Sequence, residues 1–276
     1  MKKECPATRF FHRISARFEE RLALARAGEK KPCSLLGRDV KSLCPITYLK
    51  GRIAERTYKR LEKDAAFQED IRRGVVKNLA ILFADIRGFT RRTASMPPER
   101  IVTLLDLIVP EMLDIIIARH SGMVDKLLGD GIMAVFGHPE PAGGQEAVRA
   151  VHSAIDMQQA AAALQKVLSI AGFDPVEIGV GINCGDVLLC EVGDSRYRES
   201  TVIGAPVNLA AKMEDAAGPG EILIPGPAIA SIEAARPGMV RHFKDGPLVG
   251  GVPSLTLDWV AYLESGDAGE KDWTIT

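Results

Sequence analysis

The sequence predicts an α+β domain with a ferredoxin-like antiparallel sheet, and three observations lead to that prediction. Apolar residues make up 46% of the 276 residues, enough to bury a substantial core. Strand-like and helix-like segments follow one another in the order β-α-(α)-β-β-α-β. The two middle strands are joined by a short glycine-containing turn, as in an antiparallel hairpin, whereas a doubly wound parallel sheet places a helix between successive strands.

The individual elements are predicted from hydrophobic periodicity and from turn residues. One helical face collects the apolar residues of 101–116, although Pro110 should kink or interrupt that helix. A Pro/Gly-rich loop over 139–144 separates the hairpin from the next helical pattern. The predicted strands are 78–86, 124–127, 132–136, 176–182, 187–190 and 222–224, and the predicted helices are 101–116, 147–168 and 206–217.

The first 74 residues differ in charge from the rest of the chain. They contain 19 Lys and Arg against 10 Asp and Glu, whereas the remaining residues contain 16 against 26. Helical patterns at 7–30 and 46–73 predict a basic helical extension over 1–74, followed by a main domain over 75–264 and a C-terminal tail over 265–276. The extension is either a solvated helix, which we favour, or a surface for an anionic membrane or an acidic partner.

Composition and patterning argue against several classes of protein. Five cysteines without a CxxC pair support neither a zinc site nor a disulfide framework, and they fit a reducing cytoplasm. The most apolar long stretch, 101–118, is interrupted by three acidic residues and a proline, so no transmembrane segment is expected. We also expect no nucleic-acid partner, and we interpret His120, His138 and His152 as surface or loop residues rather than metal ligands.

The first candidate functional motif is Phe-Ala-Asp-Ile-Arg-Gly-Phe-Thr at residues 83–90. An apolar strand here ends with Asp85, and a glycine-containing turn follows. Backbone amides in such a turn can cradle phosphate while the carboxylate holds a divalent cation against it. Taken alone, an aspartate at the end of a strand is more commonly a helix cap or a turn residue.

The second motif, Lys-Leu-Leu-Gly-Asp-Gly at 126–131, places Asp130 at the tip of the predicted hairpin. In a ferredoxin-like sheet the first strand lies beside this hairpin, so Asp85 and Asp130 are expected to converge. Two neighbouring carboxylates repel each other unless protons or cations lie between them. Oxygen ligands on irregular turns suit Mg²⁺ or Mn²⁺, and two such ions can activate an attacking hydroxyl and stabilise a leaving oxygen in phosphoryl transfer.

The third motif extends from 197 to 214 and contains Asn208 and Lys212 on a predicted helix. A spacing of four places both side chains on one helical face. An amide and a cation side by side could orient a sugar and neutralise phosphate charge. Considered alone, the pair is better explained as part of an exposed polar face of the helix.

Together these motifs resemble the catalytic domain of class III adenylate and guanylate cyclases, over residues 75–264. The similarity lies in four blocks in the family's order: FADIRGFT, KLLGDGIMAVFG, IGVGINCGDVLLCEVG and TVIGAPVNLAAKMED. Residues 48–64 also resemble the helical connector that often precedes this domain. The roles that the resemblance implies are metal binding by Asp85, Asp130 and the Ile86 carbonyl, triphosphate binding by Gly88, Phe89 and Thr90, reading of the purine base by Lys126 and Thr201, and orientation of the ribose by Asn208.

The resemblance also implies cofactors and partners. These are two Mg²⁺ or Mn²⁺ ions per active site, a nucleoside triphosphate as substrate, and a second copy of the chain in a head-to-tail homodimer. In the family, one chain supplies the metal ligands and its partner supplies the base, ribose and transition-state groups. A homodimer would therefore contain two equivalent sites.

Two positions depart from the family pattern. Lys212 stands where the family usually has an arginine that stabilises the transition state, and lysine keeps the charge but lacks the planar, two-pronged donor. Val249 stands in a Leu-Val-Gly sequence where the family often has a phosphate-binding lysine, for which Lys244 is an alternative. Because both metal aspartates are present, we expect an active enzyme.

The identity of residue 126 favours ATP as the substrate. The ammonium of Lys126 can donate to a ring nitrogen of adenine, whereas a guanine-specific pocket more often carries an acidic acceptor. Thr201, where many adenylate cyclases have Asp, is typical of a bacterial subgroup that includes bicarbonate-responsive enzymes. The alternatives are a cyclase for GTP or for a pyrimidine triphosphate, with cyclic CMP or cyclic UMP as the product, and a catalytically silent nucleotide-binding dimer module.

Overall fold

The computed structural model describes residues 49–65, 67–68, 74–193 and 198–268, and within them it contains eight strands and seven α-helices. The strands are β1 (Val75–Ile86), β2 (Met123–Leu128), β3 (Gly131–Phe136), β4 (Ile178–Gly193), β5 (Arg198–Ile203), β6 (Ile222–Pro225), β7 (Phe243–Val249) and β8 (Val252–Leu257). The helices are α1 (Glu55–Leu61), α2 (Phe89–Thr93), α3 (Pro98–Asp114), α4 (Glu146–Ile170), α5 (Ala205–Ala216), α6 (Gly226–Ala235) and α7 (Trp259–Glu264).

All eight strands form one sheet, which confirms the predicted α+β class. Seven of them lie in the order β2-β3-β1-β4-β6-β8-β7, and β5 pairs with the C-terminal part of β4. Of the pairings described, only β4 with β6 is parallel, so the sheet is mixed outside its antiparallel β2-β3-β1-β4 core. No helix among the described residues is long and apolar enough to cross a membrane.

The predicted strands and the helices at 101–116, 147–168 and 206–217 are recovered, with corrections. The strands expected at 176–182 and 187–190 are parts of one 16-residue strand, β4, because its pairing with β1 continues unbroken through the polar residues between them. Strand β5 lies in the third motif, where no strand was predicted. The helix expected at 46–73 begins only at Glu55 in the described residues, because residues 50–52 form a turn. The helix expected at 7–30 lies outside the described residues, and the three-part division of the chain stays a prediction.

Strand β1 is buried on both faces, which explains its continuous apolar run. Leu82 and Ala84 face a core formed with α3, α4 and α6, whereas Ile81 and Phe83 face a second core. That second core contains Leu49, Ile53 and Leu61 from the segment before the domain, here called the connector (residues 49–65 and 67–68). Strand β1 therefore separates two hydrophobic cores, one on each face of the sheet.

The connector is attached to the domain by polar contacts as well as by its apolar face. The Val124 N–H donates to the Arg52 carbonyl at 2.9 Å, so the connector meets the edge strand β2. The Thr57 hydroxyl donates to Glu140 Oε1 at 2.6 Å. Phe67 stacks on the ring of His138 with centroids 5.6 Å apart.

Helix α3 continues through Pro110, so the proline does not interrupt it. Pro110 has no N–H to donate, but the helix remains regular to Asp114 and then widens into a π-helical turn, Ile115–Arg119. In that turn the His120 N–H donates to the Ile115 carbonyl, five residues back. The irregularity therefore lies one turn beyond the proline.

The three histidines were expected to be surface or loop residues; His120 and His138 do lie in loops and His152 lies in α4, but none of them is at the surface. His120, His138 and His152 are all buried. His120 contacts Asp156 Oδ2 at 3.1 Å and His152 contacts the Tyr262 hydroxyl at 2.9 Å. Burial lowers the pKa of His138 to about 3, so its ring is neutral at physiological pH. These rings belong to the core, where their apolar bodies pack and their nitrogens are shielded from water.

Helix α5 crosses β4 at Gly181, and the crossing depends on the missing side chain. A Cβ atom at Gly181 would lie 2.1 Å from the Glu214 backbone nitrogen and 2.4 Å from the Ala210 carbonyl oxygen. Both contacts involve backbone, which cannot move aside without shifting the helix. Only glycine permits this approach of helix to strand.

Replacing Gly181 by alanine should therefore destabilise the domain. We expect a loss of about 3 kcal/mol, at the upper end for overpacking, and a melting temperature lower by roughly 6–12 °C. Gly226→Ala is the matched control, because the nearest atom to its added Cβ would be the Pro253 carbonyl oxygen at 3.5 Å, an ordinary contact. Equal melting temperatures for Gly181→Ala and the wild type would contradict the crossing described here.

Candidate functional site

Two carboxylates meet at one edge of the sheet. Asp85 is the penultimate residue of β1, and Asp130 lies in the turn between β2 and β3. Because β1 pairs with β3, with Ala84 opposite Ile132, the end of the strand and the tip of the hairpin are adjacent. A Cβ atom at Gly131 would lie 3.3 Å from Asp85 Oδ2, which shows how closely that carboxylate approaches the hairpin. The predicted convergence of the two aspartates is present in the fold.

Burial and like charge dominate the electrostatics of this pair. Burial, and after it the charge of Asp85, raises the pKa of Asp130 to about 6. Asp130 Oδ2 is buried, and no described residue forms a hydrogen bond with it. Two carboxylates and a free buried oxygen fit a hard divalent cation such as Mg²⁺ or Mn²⁺.

The protein supplies few ligands beyond this pair. No group of three or more His, Cys, Asp or Glu side chains that could hold a metal ion exists in the part of the chain that is described. Mg²⁺ in proteins is commonly bound by one or two carboxylates, with water and substrate phosphate completing the shell. The donor set therefore suits a metal that arrives with a phosphorylated substrate.

Arg87 joins this edge of the sheet to helix α5, a contact that sequence reasoning missed. Its Nη2 lies 3.3 Å from Asp85 Oδ1 and forms an ion pair with the Glu214 carboxylate. Its Nη1 donates to the carbonyls of Glu214, at 3.1 Å, and Ala217, at 3.3 Å. In the sequence, Arg87 lies two residues after Asp85 and Glu214 lies near the end of a predicted helix. Neither position indicates that the two side chains are in contact.

The predicted phosphate-binding turn opens onto a basic cleft. Gly88 has φ of 69° and precedes α2, Phe89 packs against the core, and Thr90 is exposed. A cleft of about 300 Å³ lies beside the turn. Its lining includes Arg87, Gly88, Arg91, Arg92, Phe173 and Asp174. Because Arg87 is paired with Glu214 and Asp85, Arg91 and Arg92 against Asp174 account for the positive charge of this cleft.

The two predicted base-reading residues are brought together by an aspartate between them. The Thr201 hydroxyl donates to Asp125 Oδ2 at 2.9 Å, and Lys126 Nζ lies 3.6 Å from the same oxygen. Lys126 Nζ also donates to Glu199 Oε1 at 2.7 Å. Burial opposes the charge of Lys126, but Glu199 and Asp125 outweigh it and raise the pKa of the ammonium. Asp125 and Glu199 were missed, since an acidic residue on a strand has no distinctive sequence pattern.

Asn208 and Lys212 lie one turn apart on α5, and both are exposed, as their spacing predicted. A Cβ atom at Gly250 would lie 3.6 Å from Lys212 Nζ. Gly250 directly follows Val249, the position where the family often has a lysine. The ammonium of Lys212 therefore lies beside the position of the missing charge.

Lys244 is engaged elsewhere. Its Nζ donates to Asp258 Oδ2 at 2.6 Å, and it pairs with Thr256 at the end of the β7–β8 hairpin away from Gly250. Lys244 and Lys212 are thus separated by most of the length of that hairpin. The geometry favours Lys212 over Lys244 as the cation near residue 249.

This fold and these motifs define the chain as a member of a known family. The family profile described as "Adenylate and Guanylate cyclase catalytic domain" matches residues 72–243, and the chain belongs to that family. The chain is 36% identical over 146 residues to "Adenylate cyclase, terminal-differentiation specific" of Dictyostelium discoideum. That alignment covers 51% of this chain but only 6% of the Dictyostelium protein.

Solved structures support the same assignment. The adenylyl cyclase CyaB from P. aeruginosa is 31% identical with a TM-score of 0.61, covering 67% of this chain and 95% of that one. The guanylyl cyclase Cya2 is also 31% identical, with a TM-score of 0.59 over 67% of this chain and 93% of that one. A nucleotidyl cyclase domain is thereby established, whereas the two neighbours differ in the base they use.

The carboxylate pair leads to a prediction about stability. Asp130→Asn removes the repulsion with Asp85, so the metal-free variant should be more stable than the wild type at neutral pH. We expect about 1 kcal/mol after allowance for solvent screening, or a melting temperature higher by about 2–4 °C. The same variant should lose cyclase activity with Mg²⁺ or Mn²⁺.

Asp186→Asn is the control for this experiment. Asp186 is exposed on β4 and accepts from the Asn78 amide at 2.8 Å, without a second carboxylate in that contact. Its replacement should not raise the melting temperature. An Asp130→Asn protein no more stable than the wild type in the absence of metal would show that the pair is not strained by repulsion.

Proposed function

We propose that this chain converts a nucleoside triphosphate, preferentially ATP, to the cyclic 3',5'-monophosphate and pyrophosphate at two sites of a homodimer. The observation that carries the proposal is the convergence of Asp85 and Asp130 beside a basic, glycine-containing phosphate turn, in a domain of the cyclase family. The cyclic nucleotide would serve as a second messenger. ATP and reduced cysteines both belong to the cytoplasm, where we place the enzyme.

Asp85, Asp130 and the Ile86 carbonyl would hold two Mg²⁺ or Mn²⁺ ions. Such ions supply activation of the ribose 3'-hydroxyl and neutralisation of charge on the leaving pyrophosphate. The residues of the chain would bind and orient the triphosphate. Gly88, Phe89 and Thr90 present backbone amides to the phosphates, and the arginine-lined cleft adjoins this turn.

Base recognition would belong to Lys126 on β2 and Thr201 on β5, which Asp125 connects. A fixed ammonium donates to a ring nitrogen of adenine, and the adjacent hydroxyl contacts the exocyclic group. Glu199 limits the freedom of Lys126 through its 2.7 Å contact. This arrangement supports ATP over GTP, although family relatives include both adenylyl and guanylyl cyclases.

Asn208 and Lys212 would act on the ribose and the phosphates. Both are exposed in the single chain, as expected of groups that complete a site on a second chain. Negative charge grows on the phosphate oxygens during cyclisation, and a cation already in place lowers the barrier. Lys212 lies where it can supply that charge while also occupying the space next to Val249.

An exposed apolar row supports the homodimer. Val76 pairs with Leu188, and Leu188 pairs with Ile203, so the three side chains stand in line across β1, β4 and β5. Their exposure is between 41% and 64%, unusual for large aliphatic residues in such a continuous row. A second copy covering this row would bury it and remove its apolar surface from water.

One experiment tests the activity directly. The full chain is incubated with ATP, GTP, CTP or UTP in the presence of Mg²⁺ or Mn²⁺, and the products are identified by mass spectrometry. We expect cyclic AMP as the main product. Cyclic GMP or a cyclic pyrimidine nucleotide as the main product would overturn the choice of base, and no cyclic product from any triphosphate would overturn the function.

The shared site can be tested by mixing inactive variants. Asp85→Ala should be inactive, and Lys212→Ala should lose on the order of 10²-fold in kcat with a smaller change in KM. Mixed dimers of the two would contain one intact site. Activity should return to about half of the wild-type value per mixed dimer, by the counting of sites under two-fold symmetry.

Two metal-ligand variants provide the control. Asp85→Ala mixed with Asp130→Ala leaves every site without one carboxylate, so activity should not return. If subunits exchange, as shown by a labelled copy, and Asp85→Ala with Lys212→Ala remains inactive, the two residues do not act across an interface. Wild-type kcat in Lys212→Ala alone would instead assign the transition-state charge to another residue.

A further inference from the structure

Asp125 is a buried carboxylate for which the proposed reaction has no direct use. Its exposure is 1%, yet it lies between the two residues assigned to the base. Its Oδ2 accepts the Thr201 hydroxyl at 2.9 Å and lies 3.6 Å from Lys126 Nζ. Burying a charge is costly unless it is paired, so a carboxylate kept at this position needs an explanation.

The hydrogen bond from Thr201 determines what that hydroxyl can offer to a ligand. A threonine hydroxyl has one proton and two lone pairs. Because the proton is donated to Asp125, only lone pairs remain to face the base. Lys126 is the opposite case, since an ammonium can only donate. The two residues together therefore present one acceptor beside one donor.

Nucleobases fall into two classes according to whether their donors and acceptors match the acceptor of Thr201 and the donor of Lys126. Adenine and cytosine carry an exocyclic amino donor next to a ring nitrogen that accepts. Guanine and uracil carry an exocyclic oxygen that accepts, next to a ring N–H that donates. The first class satisfies Thr201 and Lys126, whereas the second would place acceptor against acceptor and donor against donor. An unpaired polar group in a binding site discriminates strongly between ligands.

We propose that Asp125 is a specificity-determining positioning residue, which makes Thr201 an obligatory acceptor and so selects amino bases over oxo bases. The proposal rests on the proposed function, in that Lys126 and Thr201 form the base site. Asp125 acts through Thr201 and does not itself contact the substrate. Because Asp125 holds its proton, Thr201 presents an acceptor, as does the aspartate that many family members have at position 201.

The contacts of Asp125 favour its accepting role. Burial, and to a smaller extent the charge of Glu199, raises the pKa of Asp125, whereas the Thr201 hydrogen bond and the charges of Lys126 and Arg52 oppose the rise. Arg52 belongs to the connector, and its carbonyl accepts from the N–H of Val124, the residue immediately before Asp125. The geometry that assigns the acceptor is the 2.9 Å hydrogen bond from the Thr201 hydroxyl to Asp125 Oδ2.

The first test compares substrate preferences of Asp125→Asn. Its amide can donate to the Thr201 oxygen, which frees the hydroxyl proton to face the base and to meet the oxygen of guanine or uracil. The ratio of kcat/KM for ATP to that for GTP should fall by roughly tenfold or more. Asp156→Asn, a buried aspartate beside His120, is the matched control and should leave the ratio unchanged.

A second set of variants shows whether Asp125 acts through Thr201. Thr201→Ser keeps the hydroxyl and should keep the preference, whereas Thr201→Val should lose it. In the Thr201→Val background, Asp125→Asn should cause no further change in the ratio. A folded Asp125→Asn protein with the wild-type ratio overturns the proposal, and so does an equal change in the Thr201→Val background. If Asp125→Asn does not fold, an unchanged ratio in Thr201→Val overturns it instead.

Binding measurements separate this proposal from the proposed function. 3'-Deoxy-ATP and 3'-deoxy-GTP lack the attacking hydroxyl, so their affinities with Mg²⁺ report the base site without turnover. Wild type should prefer 3'-deoxy-ATP, and Asp125→Asn should reduce that preference. If no triphosphate is cyclised but this pattern appears, the function fails and the role of Asp125 stands. If cyclic AMP forms but the preference does not change in Asp125→Asn, the proposed function stands and the role of Asp125 fails.

Discussion

The close crossing of helix α5 over strand β4 is the constraint on which both halves of the site depend. Gly181 removes the side chain that would hold the helix away from the strand. Because α5 lies so near the sheet, Glu214 at its C-terminal end reaches Arg87, and Arg87 in turn reaches Asp85. The same helix presents Asn208 and Lys212 to solvent on its other face. One backbone approach thereby fixes, within one chain, where the carboxylates lie and where Asn208 and Lys212 are presented to solvent.

The two functional regions of the chain differ in how their charges are satisfied. Asp85 and Asp130 repel each other, a repulsion that the proposed cations would relieve. Around Lys126, by contrast, Glu199 and Asp125 lie close to the ammonium, and Thr201 donates to Asp125. The carboxylate pair therefore keeps its repulsion in the single chain, whereas Lys126 and Thr201, which we propose to read the base, already have contacts that orient them. Preorganisation of this kind lowers the ordering that binding would otherwise require.

The departures from the family pattern have a common location. Lys212 replaces an arginine, Val249 stands in place of a lysine, and the structure brings residue 212 beside Gly250 in the turn that follows Val249. The structure thus places the ammonium of Lys212 beside the second departure. Lysine is a compact charge on a flexible stem and lacks the planar fork of arginine.

Local pattern was sufficient to predict much of this protein. An apolar strand ending in Asp85, a glycine-flanked Asp130 and the four-residue spacing of Asn208 and Lys212 depend only on neighbouring residues, and with the family motifs they indicated the fold and the cyclase class. Only the tertiary structure joined Asp125 to Thr201, 76 positions away, and Arg87 to Glu214, 127 positions away. These contacts depend on strand register and on the helix crossing, which no single segment encodes. Burial of the three histidines was missed for the same reason, since packing partners come from distant parts of the chain.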